Sequence, residues 1–230
     1  MKSTIKLAFA VSTALGFLTA CNGSGATGNK DSTATSASAS TASAQDKMKM
    51  TSDATQDTTG NGNTLMKAHE DMMNRMHSMK MSGDFDMDWA NMMVEHHQGA
   101  VDMAQAELSQ GKDEKMKSKA QEIITKQKDE QDKLREIVKN AKPSGMKHGE
   151  GELQKSMSDM SSGMITMQMS GNGDKDFATM MAAHHKEGIV MSKKEVEYGM
   201  NGQLKQMAQK GIIDQTKEVE ELNAWLSSHK

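Results

Sequence analysis

The 230-residue sequence has one cysteine, one proline and 3% aromatic residues. A single thiol excludes an internal disulfide and any cysteine-ligated zinc or iron–sulfur centre. The formal net charge of -3 provides no basic field, so no nucleic-acid partner is expected. Strand-type alternation is absent. No proline interrupts 51–142 or 144–230, and Ala, Glu, Lys, Gln and Met dominate both stretches. Such segments read as helix. The one long apolar run, Leu7 to Ala20, is too short to span a membrane.

That run follows a basic start, Met1-Lys2-Ser3-Thr4-Ile5-Lys6, and ends Leu18-Thr19-Ala20-Cys21. It resembles a bacterial lipoprotein signal: residues 1–20 would be removed and Cys21 lipidated. The expected location is therefore extracytoplasmic, anchored by lipid to the cell envelope, either facing the periplasm or at the outer membrane. Residues 21–63, rich in Ser, Thr, Ala and Gly, offer too little apolar surface to offset chain entropy and read as a tether.

What the sequence has in excess is methionine, 25 residues. It also repeats itself. Shifted by 88 positions, residues 65–142 align on 153–230 without a gap, and 27 of the 78 pairs are identical. The best block sets Asp88-Trp89-Ala90-Asn91-Met92-Met93-Val94-Glu95-His96-His97 on Asp176-Phe177-Ala178-Thr179-Met180-Met181-Ala182-Ala183-His184-His185. The expected organisation is a helical unit at 64–142, a hinge at 143–151 and a second unit at 152–230. Each unit would hold a short helix (64–80, 152–168) and two long ones (88–110 and 113–140; 176–198 and 201–227), with Asp88 near the start of the first long one. Two long hairpins sharing one core make a four-helix bundle, with the two short Met-rich helices added.

Helical geometry then sorts the donors. At about 100° per residue, Met92, His96 and Met103 fall on one narrow stripe, and Met93 and His97 on a second. Met180, His184 and Met191 repeat the first, Met181 and His185 the second. The short helices add His69, Met72, Met73, Met76, His77 and Met79, and then Met160, Met164 and Met167. Thioether is soft and neutral and imidazole is borderline, so together they favour Cu(I) or Ag(I) over oxygen-seeking ions. Zinc rarely uses thioether. Cu(II) could bind the imidazoles, with Glu95, Asp102 or Glu187 helping.

The plain alternative is packing, because methionine fills irregular cores. Met116 and Met207 read as core residues, as do Trp89, Phe177 and Trp225. Two observations favour metal: Met72, Met73, Met76, Met79 and Met81 spread over more of a helix than one buried face takes, and Met48, Met50 and Met146 lie outside the expected helices. His148 and His229 read as solvent-exposed. Gln127, Gln215, Glu130 and Glu218 recur in both copies, either orienting histidines or acting as buried hydrogen-bonding glue. The second reading is preferred.

Met93-Val94-Glu95-His96-His97-Gln98-Gly99-Ala100-Val101-Asp102-Met103 and Met181-Ala182-Ala183-His184-His185-Lys186-Glu187-Gly188-Ile189-Val190-Met191 resemble the signature of the family called domain of unknown function 305. The resemblance covers about 65–230. It implies a ferritin-like helical bundle and, as in some members, copper binding and copper resistance outside the cytoplasm. Di-iron chemistry is not expected, because no Glu stands three residues before any His.

The expected function is capture of Cu(I), with Cu(II) or Ag(I) as further ions, for buffering, resistance or transfer. A copper donor, acceptor or efflux component would be the partner, and no catalytic residue is assigned. The competing classes are a copper-dependent redox protein that oxidises Cu(I), and a helical adaptor lipoprotein with a Met-rich packing surface.

Overall fold

The computed structural model describes residues 61–143, 149, 151–165 and 167–230. Cys21, the tether, Met48, Met50, Met146 and His148 lie outside them, as does the side chain of Met164. The described chain forms six helices: α1 (Asn61–Ser78), α2 (Phe85–Gln110), α3 (Glu114–Asn140), α4 (Glu152–Ile165), α5 (Gly173–Tyr198) and α6 (Gly202–Ser228). No strand occurs among the described residues, and no described helix is long and apolar enough to cross a membrane. The bounds of α5 and α6 are those of α2 and α3 displaced by the repeat length, so the duplication is structural as well as sequential.

The first long helix of each unit starts three residues earlier than expected. Asp84 caps α2 by accepting from Met87 N, and Asn172 caps α5 by accepting from Lys175 N. Asp88 lies in the first turn, near the start as expected, but it is not the cap. Its carboxylate reaches back to Ser82 N and Oγ and to Gly83 N. Asp176 does the same to Ser170 and Gly171. These turns need the left-handed backbone of Gly83 and Gly171, at φ 84° and 79°.

α2 packs on α3 and α5 on α6, giving two antiparallel hairpins, and α2 and α5 form the joint between them. They run antiparallel, and each end is pinned. Asp86 at the start of α2 accepts from Met200 N and Asn201 N in the α5–α6 turn. Asp174 at the start of α5 accepts from Lys112 N and Asp113 N in the α2–α3 turn. These four bonds are related by the repeat, so the halves meet about a pseudo-twofold axis. α3 and α6 hardly touch. α1 lies across α2 and α5, and α4 lies against α5 and α1.

The antiparallel crossing divides the core in two. One cluster takes Met103, Met116, Phe177, Met180, Met181 and Trp225. The other takes Met72, Met73, Met76, Met92, Met93, Met160 and Met191. Met116, Trp89, Phe177 and Trp225 are core residues, as expected, and Trp89 also donates to Met191 O at 3.0 Å. The face argument for α1 does not hold. Met72, Met73 and Met76 are all buried, because α2, α5 and α4 together cover more than one face of it.

Candidate metal centre

The first histidine of each pair sits where α2 and α5 cross. His96 and His184 are fully buried, and their rings stack at 3.8 Å between centroids with 16° between planes. Antiparallel packing sets Met92 with Met191 on one side of this stack and Met103 with Met180 on the other. Neither nitrogen of either ring has a hydrogen-bonding partner among the described residues. Leaving one buried polar atom unsatisfied costs about 1–3 kcal/mol. Four such atoms in one stack make this the most heavily penalised place in the core.

α1 brings a third imidazole. His69 is buried, and its Nδ1 also lacks a partner. One ligand atom each from His69, His184 and Glu187 lie within 4.8 Å of one another. Two ligands on opposite sides of one ion would span about 4.2 Å at about 2.1 Å each, so a small inward movement makes a coordination shell. The three residues could hold a metal ion. His184 and Glu187 share a face of α5 at i, i+3. His69 is delivered because α1 can approach α2 at Gly99, where a Cβ would lie 2.5 Å from Met72 Sδ.

Burial sets the protonation states. It lowers His69 to about 4 and holds His96 and His184 well below the ordinary 6.5, with the neighbouring imidazoles adding to the effect. All three rings are therefore neutral near pH 7, the form that ligates. Burial raises Glu187 to about 8, so its carboxyl keeps a proton there unless a cation displaces it.

The second histidine of each pair turns away from the crossing. His97 Nε2 lies 3.2 Å from Glu130 Oε2 on α3. His185 Nε2 lies 3.0 Å from Glu218 Oε2 on α6, at ion-pair distance but out of line for a hydrogen bond. Burial alone would raise Glu218, but His185 and Lys126 outweigh it and bring it down to about 2. The recurring glutamates thus face histidines, the reading that was not preferred from sequence. Gln127 and Gln215 are buried, and Gln215 Oε1 and His96 Cε1 both crowd Gly188, at 2.5 and 3.1 Å from where a Cβ would stand.

A domain-of-unknown-function model, DUF305, matches residues 24–138 and 86–226. The chain belongs to the DUF305 family. No curated protein and no solved structure matches it. The two matched segments together include the whole crossing and every histidine described so far.

Within this DUF305 bundle the expected donors separate. His69, His96 and His184 come together with Glu187. Met72 lies beside them on α1, and Met92, Met103, Met180 and Met191 flank the stack. Met181 falls in the Met103 cluster, whereas Met73, Met76, Met93 and Met160 fall in the Met92 cluster. Met79 and Met167 are half-buried at the edges. His77 is exposed, and its Nδ1 lies 2.9 Å from Met73 O, away from the crossing. Glu95 and Asp102 are taken by Arg75, at 2.9 and 3.1 Å, which leaves Glu187 as the carboxylate at the centre. His229, exposed as expected, stacks on Trp225.

Proposed function

We propose that this protein captures copper, chiefly as Cu(I), outside the cytoplasm while held to the envelope by lipid on Cys21, and that it buffers the ion or hands it on. The observation that carries the reading is the stacked His96–His184 pair, whose buried nitrogens have no hydrogen-bond partner among the described residues, beside His69 and Glu187. A neutral imidazole has one lone-pair nitrogen, and an ion bound there removes the penalty of burying it. Ions other than copper would satisfy the nitrogens too, so two further arguments narrow the choice. Charge is the first: the neutral imidazoles of His69 and His184 with one carboxylate balance a single positive charge, and a dry core tolerates a neutral set far better than a net charge. Softness is the second: buried methionines stand on the same helices as the histidines, Met72 on α1, Met92 and Met103 on α2, and Met180 and Met191 on α5. Cu(II) would suit the nitrogen and oxygen donors but would leave an uncompensated charge.

Anaerobic titration with Cu(I) against a competing colorimetric chelator tests the reading. Uptake of at least one ion per chain, lost in His69→Ala/His184→Ala, is the expected result. Uptake below one ion per chain in the wild type would return the protein to the adaptor class. Oxygen consumption that continues beyond the bound ions would make it a Cu(I)-oxidising enzyme. Lipid attachment is checked by labelling with a radioactive fatty acid, which Cys21→Ala should abolish.

A further inference from the structure

The two halves of the bundle are not equal on their outer faces. Beside His185, the groove is closed. Lys119 joins Glu122 and Glu221, Lys126 joins Glu218, and the Glu218 side chain is only 4% exposed. The repeat places Met207 where Lys119 stands, Met93 where Met181 stands and Glu130 where Glu218 stands. On that side the groove between α3 and α6 is open. A pocket of about 130 Å³ reaches inward to Trp89, Met93 and His97, with Glu130 and Met207 on its walls. The Glu130 side chain is 20% exposed.

The chemistry of the open pocket is specific. Met93 and Met207 come from different helices and line one cavity with an imidazole. His97 is 4% exposed, and its buried Nδ1 has no hydrogen-bond partner among the described residues. The lysines on the walls are neutralised locally: Lys126 by Glu122 and Glu218, Lys133 by Asp129, and Lys210 by Asp214. A small cation therefore meets little net repulsion there. From this pocket the His97 ring is 6.3 Å from that of His96, which stacks on His184. Two steps, 6.3 Å and then 3.8 Å between ring centroids, therefore separate the groove histidine from His184.

We propose that this groove holds a second, outer site for a soft monovalent ion, formed by the Met93 and Met207 thioethers with His97, through which the ion reaches the centre. The closed counterpart at His185 offers no such path. The role as a port rests on the soft-ion reading above. The outer site itself requires only that thioether and imidazole bind a soft cation.

The test uses the full chain with 13C-labelled methionine methyl groups, titrated with Ag(I) and followed by NMR. Met93 and Met207 are assigned from Met93→Leu and Met207→Leu, which keep the packing. The expected result is a shift of both methyl signals together, with the Met93 shift lost in Met207→Leu. In Met207→Lys, which removes the thioether and sets a cation beside Lys133 and Lys210 in the groove, the ring signals of His69 and His184 should reach the same end point but respond about tenfold more slowly, as about 1.4 kcal/mol of added barrier produces. A response of the central histidines with Met93 and Met207 unmoved would overturn the outer site and leave the copper reading standing. An unchanged rate in Met207→Lys would overturn its role as a port. No response anywhere in the chain would end both proposals.

Discussion

His96 and His184 stack with their ring planes 16° apart and no hydrogen bond to either ring from the described residues. A fold optimised only for stability would put apolar rings there. His184→Phe keeps an aromatic face and removes two unsatisfied nitrogens. The metal-free variant is expected to be as stable as the wild type or more so, by up to about 1–3 kcal/mol. It should also lose the rise in melting temperature that Ag(I) gives the wild type. Calorimetry with and without Ag(I) reads both effects, and a variant that still gains stability from Ag(I) contradicts the assignment.

Gly99 admits Met72, whose Sδ, Cγ and Cβ would lie 2.5, 2.8 and 3.0 Å from an added Cβ. Gly99→Ala must push α1 outward, costing about 1–3 kcal/mol by overpacking. His69 stands one turn before Met72, so its distance from His184 should grow and metal affinity should fall. Met72→Ala in the same chain should recover much of the loss. Denaturant unfolding of the double-mutant cycle measures that coupling.

A third expectation concerns alkali. Glu195 is fully buried, and burial together with the carboxylate of Asp86 raises it to about 9. Its folded value lies above the ordinary 4.5, so its contribution is complete below pH 4.5 and is lost as pH rises through about 9. The melting temperature should fall across that window. Glu195→Gln, neutral at every pH, should flatten the profile and be the more stable protein near pH 9.

The fourth expectation has the opposite sign. Glu218 is held at about 2, below the ordinary 4.5, by His185 and Lys126. Its contribution is complete above pH 4.5 and is lost as pH falls through about 2. Glu218→Gln should destabilise at pH 7 by about 1–3 kcal/mol, since it takes the counter-charge from the buried His185 and from the half-exposed Lys126. The gap between variant and wild type should shrink as pH approaches 2, which urea unfolding over that range would reveal.

Much of the fold was legible. The gap-free repeat fixed two like units, and the single stripe of α3, with Ile123, Ile124 and Leu134 buried, followed from its spacing. The starts of α2 and α5 were read three residues late because Asp88 resembles a cap, whereas the capping side chains are Asp84 and Asn172. The division of labour within each histidine pair was not legible. Neighbours in sequence differ by about 100° around a helix, and only the antiparallel crossing of α2 and α5 decides which of them faces inward. The place of Glu187 was hidden for a related reason. Its counterpart is Gly99 and the counterpart of His69 is Met157, so the repeat argument, which favours positions shared by both copies, passes over the residues that make the centre asymmetric.

Asp86 grips the turn of the second hairpin and Asp174 the turn of the first. Each hairpin therefore completes itself only on the other, and neither buries its inner helix alone. Joined in one polypeptide, the halves find each other as a first-order event that dilution cannot undo. Two separate chains of this kind would have to be identical on both sides of their axis. Covalent fusion lifts that constraint and lets one flank keep a lysine latch while the other keeps a sulfur-lined door.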